Sequence, residues 1–120
     1  MKRNLFLEKV NENVFLIMVH RGFWGGNIIE NSVESSKLAF RAGADIVEVD
    51  VCQTSDKKYY LFHDGNEPKL LSRAENFKKI SSMEIDTSEV YNSIGNKSGY
   101  KINTLSQFLD WLPNNKLANL

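Results

Sequence analysis

Apolar and polar positions fall into blocks that predict the order of elements. Val14-Phe15-Leu16-Ile17-Met18-Val19 is a continuous apolar run, the pattern of a strand buried on both faces. It stops abruptly at His20-Arg21-Gly22. A helical pattern begins after Asn31, which is placed to cap it, with Glu34 in the capping-box position. Val33, Ala39, Phe40 and Ala42 give a loose apolar face, and Gly43 is a fitting stop. Asp45-Ile46-Val47-Glu48-Val49-Asp50-Val51 then alternates in its second half and is rich in β-branched residues, which predicts a second strand. Strand, helix, strand in such short compass is a βαβ unit and implies a parallel sheet.

Lys57 to His63 reads as a further strand after a turn at Ser55-Asp56-Lys57. The short gap favours an antiparallel excursion from the second strand. Residues 64 to 80 are mixed and polar, and Pro68 argues for loop. Ser81 and Glu84, or Thr87, start a short helix, while Asn92 to Tyr100, with Gly95 and Gly99, reads as loop. Thr104-Leu105-Ser106-Gln107 is a capping box, followed by Leu105, Phe108, Leu109 and Leu112 at helical spacing and by Pro113 as terminator. Lys116 to Leu120 has the look of an approach to another strand. No domain boundary interrupts the chain, so residues 1–120 are read as one unit.

Composition narrows the function classes. The 120 residues suffice for one domain or for part of a larger one. Lys+Arg and Asp+Glu both number 15, so no bulk field favours nucleic acid or an anionic membrane. Cys52 stands alone, which precludes an internal disulfide and fits a reducing compartment, the cytoplasm. The start resembles a signal peptide only in Lys2 and Arg3, because Glu8 and Lys9 interrupt it. No apolar run approaches the roughly 20 residues of a transmembrane helix.

The strand ends carry the candidate chemistry. Alternation points Glu48 and Asp50 the same way, about 7 Å apart, with Val47, Val49 and Val51 opposite. Paired carboxylates on a buried strand repel unless a cation lies between them, and hard oxygen ligands suit Mg²⁺ or Ca²⁺. A partly exposed strand with a polar face is the plainer account. In a parallel α/β sheet, sites form at the carboxyl ends of strands, where His20, Arg21, Glu48 and Asp50 all sit. Arg21 offers a donor fork for phosphate, His20 exchanges protons near neutral pH, and Gly22 permits a tight turn. His63 also ends a strand, before Asp64-Gly65. A lone histidine is more often structural, but two of them beside an acidic pair and an arginine form a kit for phosphodiester hydrolysis.

These residues resemble the glycerophosphodiester phosphodiesterase family. The resemblance runs from His20 through Asp64 and resumes at Ile102-Asn103-Thr104-Leu105, in the pieces HRG, EN, GADIVEVDV, FHDG and INTLSQFLDWL. Each piece is weak alone; their order and spacing are specific. The resemblance implies the N-terminal portion of a TIM (β/α)₈ barrel and a metal-dependent hydrolysis of glycerophosphodiesters to glycerol 3-phosphate and an alcohol. It implies His20 and His63 as general acid and base, and Arg21 as the phosphate ligand. Glu48 and Asp50 would hold Mg²⁺ or Ca²⁺, with Glu30 in or supporting that shell. Asn31 would help position the site, unless it is only the helix cap. Phe23 and Trp24 would wall a headgroup pocket, or simply cover the rim. Three departures are Asp56-Lys57 where the family has Asp-Gly, a slightly longer loop over Phe23-Trp24-Gly25-Gly26-Asn27, and Asn103 in place of a common proline.

Length is the larger departure, since a TIM barrel takes roughly 250 residues. The resemblance places a further acidic ligand on a strand beginning about where Leu120 ends. The 120 residues are therefore expected to be an incomplete barrel, inactive alone, and to self-associate through an uncovered strand edge. Two other readings remain open: a related phospholipase- or sphingomyelinase D-like lyase that makes a cyclic phosphate, and a truncated, non-catalytic binding chain.

Overall fold

The computed structural model describes residues 5–12 and 15–120. Helix α1 (Leu5–Glu12) leads in; it was not foreseen from the sequence. The elements that follow are β1 (Met18–His20), α2 (Val33–Arg41), β2 (Ile46–Glu48), β3 (Val51–Gln53), β4 (Tyr59–Leu61), α3 (Ser82–Thr87), α4 (Leu105–Trp111) and β5 (Leu117–Asn119).

Strands β1, β2 and β5 form a parallel sheet in that order. Register sets Val19, Val47 and Ala118 in one row, and His20, Glu48 and Asn119 in the next. The valine row faces the helices: Val47 and Val49 pack with Ala39, Ala44, Leu61 and Phe108, and Val19, Phe40, Leu105 and Trp111 close the edges of this cluster. The alternation that buries valines on the helix side turns His20 and Glu48 to the opposite face. The predicted βαβ unit is thus present.

Its first strand differs from the expectation of burial on both faces. Regular pairing begins at Met18, and Val14 lies outside the described residues. Phe15, Ile17 and Met18 are 71%, 46% and 53% exposed, because β1 is an edge strand. Such an apolar run is what a strand covered on both sides requires, and here one side has no cover.

The second predicted strand is divided. Pairing with β1 and β5 ends at Glu48, and after Asp50 the chain peels away as β3, which pairs antiparallel with β4. The excursion builds its own core from Tyr60, Phe62, Leu70, Leu71, Phe77, Ile80, Ile85, Val90 and Ile102. The segment read as loop contains one wide helical turn at Glu67–Leu71, with Pro68 in its first turn where no N–H is missed, and a 3₁₀ turn at Phe77–Lys79. The hairpin turn places Lys57 at φ 63°, a left-handed conformation that glycine adopts without penalty. That is the physical reason for the Asp-Gly that the resemblance leads one to expect at this turn.

Caps show where local chemistry decided. Ser81 and Thr104 cap α3 and α4 with reciprocal boxes to Glu84 and Gln107, as expected. Helix α2 is capped by Ser32 with Ser35, not by Asn31 with Glu34. Asn31 takes φ 54° instead, and its side chain is used elsewhere. Asn103, in place of proline, accepts through Oδ1 from the Val33 N–H at 3.0 Å and so joins the end of the excursion to the first turn of α2. On α4, Phe108 is buried while Leu109 is exposed, and Trp111 turns inward against Phe108.

Two outcomes follow from these contacts. Gly22 has φ +79°, and a Cβ there would lie 2.7 Å from the Ser35 carbonyl carbon. Gly22→Ala is therefore expected to destabilise the fold by about 2 kcal/mol or more, read from the urea midpoint. Asp56 accepts from the Ser82 hydroxyl at 2.5 Å, the Thr54 hydroxyl at 2.7 Å and the Ser82 N–H at 2.9 Å. These bonds, the one from the Ser82 hydroxyl first, hold its carboxyl below the ordinary value of 3.8. A depressed carboxyl contributes stability that is complete above its unfolded pKa and lost as pH falls toward the folded one. Amide exchange at Ser82 should accordingly quicken below about pH 4, and Asp56→Asn should remove that pH dependence.

Candidate active site

The turn after β1 is fastened on three sides. Arg21 adopts φ 59°, unusual for a residue with a Cβ. Its N–H donates to the Glu48 carbonyl at 2.7 Å and lies 3.3 Å from Glu48 Oε2. Its carbonyl accepts from the Asn31 N–H and the Ser35 hydroxyl, both at 3.0 Å. The Phe23 N–H then donates to the Ser35 carbonyl at 2.8 Å. Buried Ser35 therefore holds the turn against α2, and only glycine fits at position 22 between them.

This turn gathers the charged groups. His20 Nε2 lies 3.4 Å from Glu48 Oε2, with the imidazole side chain 68% exposed. Arg21 Nη1 donates to Glu30 Oε2 at 2.9 Å. Its Nε is 3.0 Å from Asp50 Oδ2, yet that buried N–H is not aligned for a hydrogen bond, so the contact is an ion pair only. Asn31 and Asp50 bond reciprocally: the Asp50 N–H donates to Asn31 Oδ1 at 2.8 Å, and Asn31 Nδ2 donates to Asp50 Oδ2 at 3.2 Å. That bond is why Asn31 is left-handed and why Ser32 has the capping role.

Ligand atoms of His20, Glu48 and Asp50 all lie within 4.8 Å of one another. Protein contacts fall on Oε2 of Glu48 and Oδ2 of Asp50, so Oε1 and Oδ1 are without partners among the described residues. Two carboxylates at this spacing offer the hard oxygen donors that a divalent cation fits, and the imidazole of His20 stands beside them.

Glu30 stands apart from that group. Its side chain is 1% exposed and is satisfied by Arg21, by Asn66 Nδ2 at 3.1 Å and by Lys69 Nζ at 3.3 Å. His63 is half-buried, one residue beyond Phe62, whose N–H donates to the Asp50 carbonyl at 3.0 Å. Its ring has no hydrogen bond or ion pair among the described residues. Phe23 and Trp24 are exposed, and Lys69 Nζ lies 5.0 Å over the Trp24 ring. Burial, then the charges of Asp64 and Glu67, push the Cys52 thiol up to about 11, which makes it a poor nucleophile. A cleft of about 440 Å³ between β4, α3 and α4 shares no residue with this charged group.

Asn66 and Lys69 are the residues that sequence reasoning missed. Asn66 precedes the turn Glu67–Leu71 as its N-cap and Lys69 lies within it, and both reach Glu30. The available signal was Pro68 as a helix-start residue, which the polarity of the segment obscured.

Among curated proteins, none matches the chain in sequence. Solved structures do. A glycerophosphoryl diester phosphodiesterase from Parabacteroides distasonis is 26% identical with a TM-score of 0.75, over 86% of this chain and 36% of that one. A glycerophosphodiester phosphodiesterase from Agrobacterium tumefaciens is 25% identical with a TM-score of 0.72, over 88% of this chain and 45% of that one. The corresponding protein from Thermotoga maritima, 24% identical with a TM-score of 0.68, shares the fold. The chain thus spans well under half the length of these TIM-barrel relatives, and β1, β2 and β5 make up part of such a barrel. The model of the glycerophosphoryl diester phosphodiesterase family matches residues 20–119, from the histidine that ends β1 through the last residue of β5, and the chain belongs to that family.

Proposed function

We propose that this chain supplies the catalytic mouth of a metal-dependent phosphodiesterase that hydrolyses glycerophosphodiesters to glycerol 3-phosphate and an alcohol. The observation that carries the reading is the convergence of His20, Glu48 and Asp50 within 4.8 Å, beside Arg21, at the carboxyl ends of parallel strands.

Charge balance supports it. Glu30, Glu48 and Asp50 face Arg21 and Lys69, which leaves the group one negative charge with His20 neutral. A divalent cation on Glu48 and Asp50 reverses the balance to one positive charge, the complement of a phosphodiester monoanion. Mg²⁺ or Ca²⁺ held there would stabilise charge developing on the phosphoryl oxygens. Arg21 donates through Nη1 to Glu30, and its buried Nε faces Asp50 without a hydrogen bond, so Nη2 is the nitrogen left for a phosphate oxygen. His20, turned to Glu48, can hold or accept a proton at Nε2. His63, with no competing partner, serves as the other member of the acid–base pair. Asn31 orients Asp50, and Phe23 and Trp24 wall the alcohol side. Cys52, with no second cysteine among the 120 residues to pair with, supports a reducing compartment, the cytoplasm, as the place of work.

The exposed Phe15, Ile17 and Met18 beside the open edge of β1 support a second element of the proposal. Turnover requires that edge to be covered by further parallel strands, and the 120 residues alone associate through it.

Three results are expected. By calorimetry, Glu48→Ala and Asp50→Ala each abolish Mg²⁺ binding; wild-type affinity in the double variant would overturn the metal assignment. In protein whose sheet is completed, His20→Ala and His63→Ala each lower turnover of a glycerophosphodiester by ~10²–10⁴, and an unchanged rate would make that histidine structural. Sedimentation of the chain alone shows association without turnover, whereas a monodisperse, active monomer would refute the need for covering strands.

A further inference from the structure

We infer that Glu30 is a positioning residue: it keeps the Arg21 guanidinium from closing a two-bond pair on Asp50 and ties the segment that follows His63 to the same mouth. The inference rests on the phosphodiesterase reading above and deepens it.

A carboxylate buried to 1% exposure is costly unless charge and hydrogen bonds compensate it. Glu30 has three compensating donors, and they come from two separate parts of the chain. Arg21 belongs to the end of β1, while Asn66 and Lys69 belong to the turn after His63-Asp64-Gly65. The connection is therefore between the two histidine-bearing segments. Glu30 Oε2 accepts from both sides, from Arg21 at 2.9 Å and from Asn66 at 3.1 Å.

The same pair decides where the guanidinium points. Arg21 lies between two carboxylates, Glu30 and Asp50. A planar fork with one carboxylate on offer closes on it with two parallel bonds. With Glu30 charged, Nη1 is drawn to Glu30 and only the misaligned Nε remains near Asp50. Removing the charge of Glu30 frees Nη1, and Arg21 turns toward Asp50 and away from a phosphate. The backbone assists, since Asn31, next in sequence, is locked to Arg21 and to Asp50. As a metal ligand Glu30 would have only the second lone pair of Oε1 to offer, because Oε2 already accepts from Arg21 and Asn66 and Oε1 from Lys69.

The test compares the chain with Glu30→Gln in three measurements: Mg²⁺ affinity by calorimetry, inorganic phosphate affinity by NMR titration at fixed Mg²⁺, and hydrogen exchange at the Leu70 amide. That amide donates to the Asn66 carbonyl at 2.8 Å within the turn, so it reports whether the turn that Glu30 fastens stays formed. Glu30→Gln is expected to weaken phosphate roughly tenfold, to leave Mg²⁺ affinity within about threefold, and to speed exchange at Leu70 at least tenfold. Asn66→Ala, which leaves the charges of the mouth as they are, is expected to speed that exchange without changing phosphate affinity. Loss of Mg²⁺ affinity in Glu30→Gln equal to that of Asp50→Asn would overturn the inference in favour of direct ligation. Unchanged exchange at Leu70 would overturn the tie. A general folding defect would depress both affinities together, and if Glu30→Gln does not fold, Asn66→Ala with Lys69→Met reads the tie from the other side. Should wild-type protein whose sheet is completed bind neither Mg²⁺ nor phosphate, the phosphodiesterase reading falls, while exchange at Leu70 still upholds or overturns the link between Glu30 and the turn.

Discussion

The left-handed step at Arg21-Gly22 is the constraint on which the rest depends. A parallel strand that ended in ordinary extended backbone would carry Arg21 past the sheet. Here the chain reverses within one residue, and the peptide groups of Arg21 bond to Glu48, Asn31 and Ser35. A non-glycine residue at φ 59° costs about 1–2 kcal/mol, which three backbone anchors offset. Each anchor belongs to a different part of the site: β2 with its metal-binding candidates, the loop with Glu30, and the helix that backs the sheet. Strain of this kind persists only where surrounding structure over-determines it, and such places cluster at functional sites.

Much of this was legible because it depends on period and on local caps. The alternation Val47, Glu48, Val49, Asp50 assigns valines to the helix side and carboxylates to the other, whatever the sheet does beyond it. The boxes at Ser81 and Thr104 are local, and they formed as read. What could not be read was competition between near neighbours for long-range partners. Asn31 and Ser32 are both good caps, and sequence favours neither. Asp50, nineteen positions away, claims the amide of Asn31 and leaves the cap to Ser32. Glu30 is similar: buried charge is visible only once the turn carrying Asn66 and Lys69 has folded over it. The exposure of β1 has the opposite cause. Its residues suit a strand with two covered faces, and the pattern reports the requirement, not whether it is met.

The excursion from β3 to Ile102 explains how an otherwise regular sheet acquires His63. A plain βαβ crossover would go from β2 straight to a helix. Instead β4 faces two cores at once: Leu61 points into the cluster of the parallel sheet, and Tyr60 and Phe62 into that of the excursion. Side-chain alternation on a single strand thus joins two hydrophobic cores. The Tyr60 hydroxyl donates to Asp86 at 2.7 Å, and burial, then Asp86, raise it to about 12. It stays protonated and keeps α3 attached across the pH range in which the fold works.

Placing the charged group on the seam between these cores has a mechanical consequence. Ile29 belongs to the excursion's core, while Val33 and Val49 belong to that of the sheet. Glu30, Asn31 and Asp50 therefore sit where the two bodies meet, and the distances among them depend on how the bodies are set. Apolar packing is non-directional and does not fix such a seam to a few tenths of an ångström. Directional bonds do: Phe62 N–H to the Asp50 carbonyl, Leu61 N–H to the Asn103 carbonyl, and the reciprocal pair of Asn31 and Asp50. Position of the candidate groups is thereby delegated to polar contacts at the seam, and stability to the two cores on either side. A substitution within one core can then lower stability with little effect on the site, whereas loss of a single seam bond, such as that from the Phe62 N–H to the Asp50 carbonyl, can shift the strand end that carries His63 while both cores stay packed.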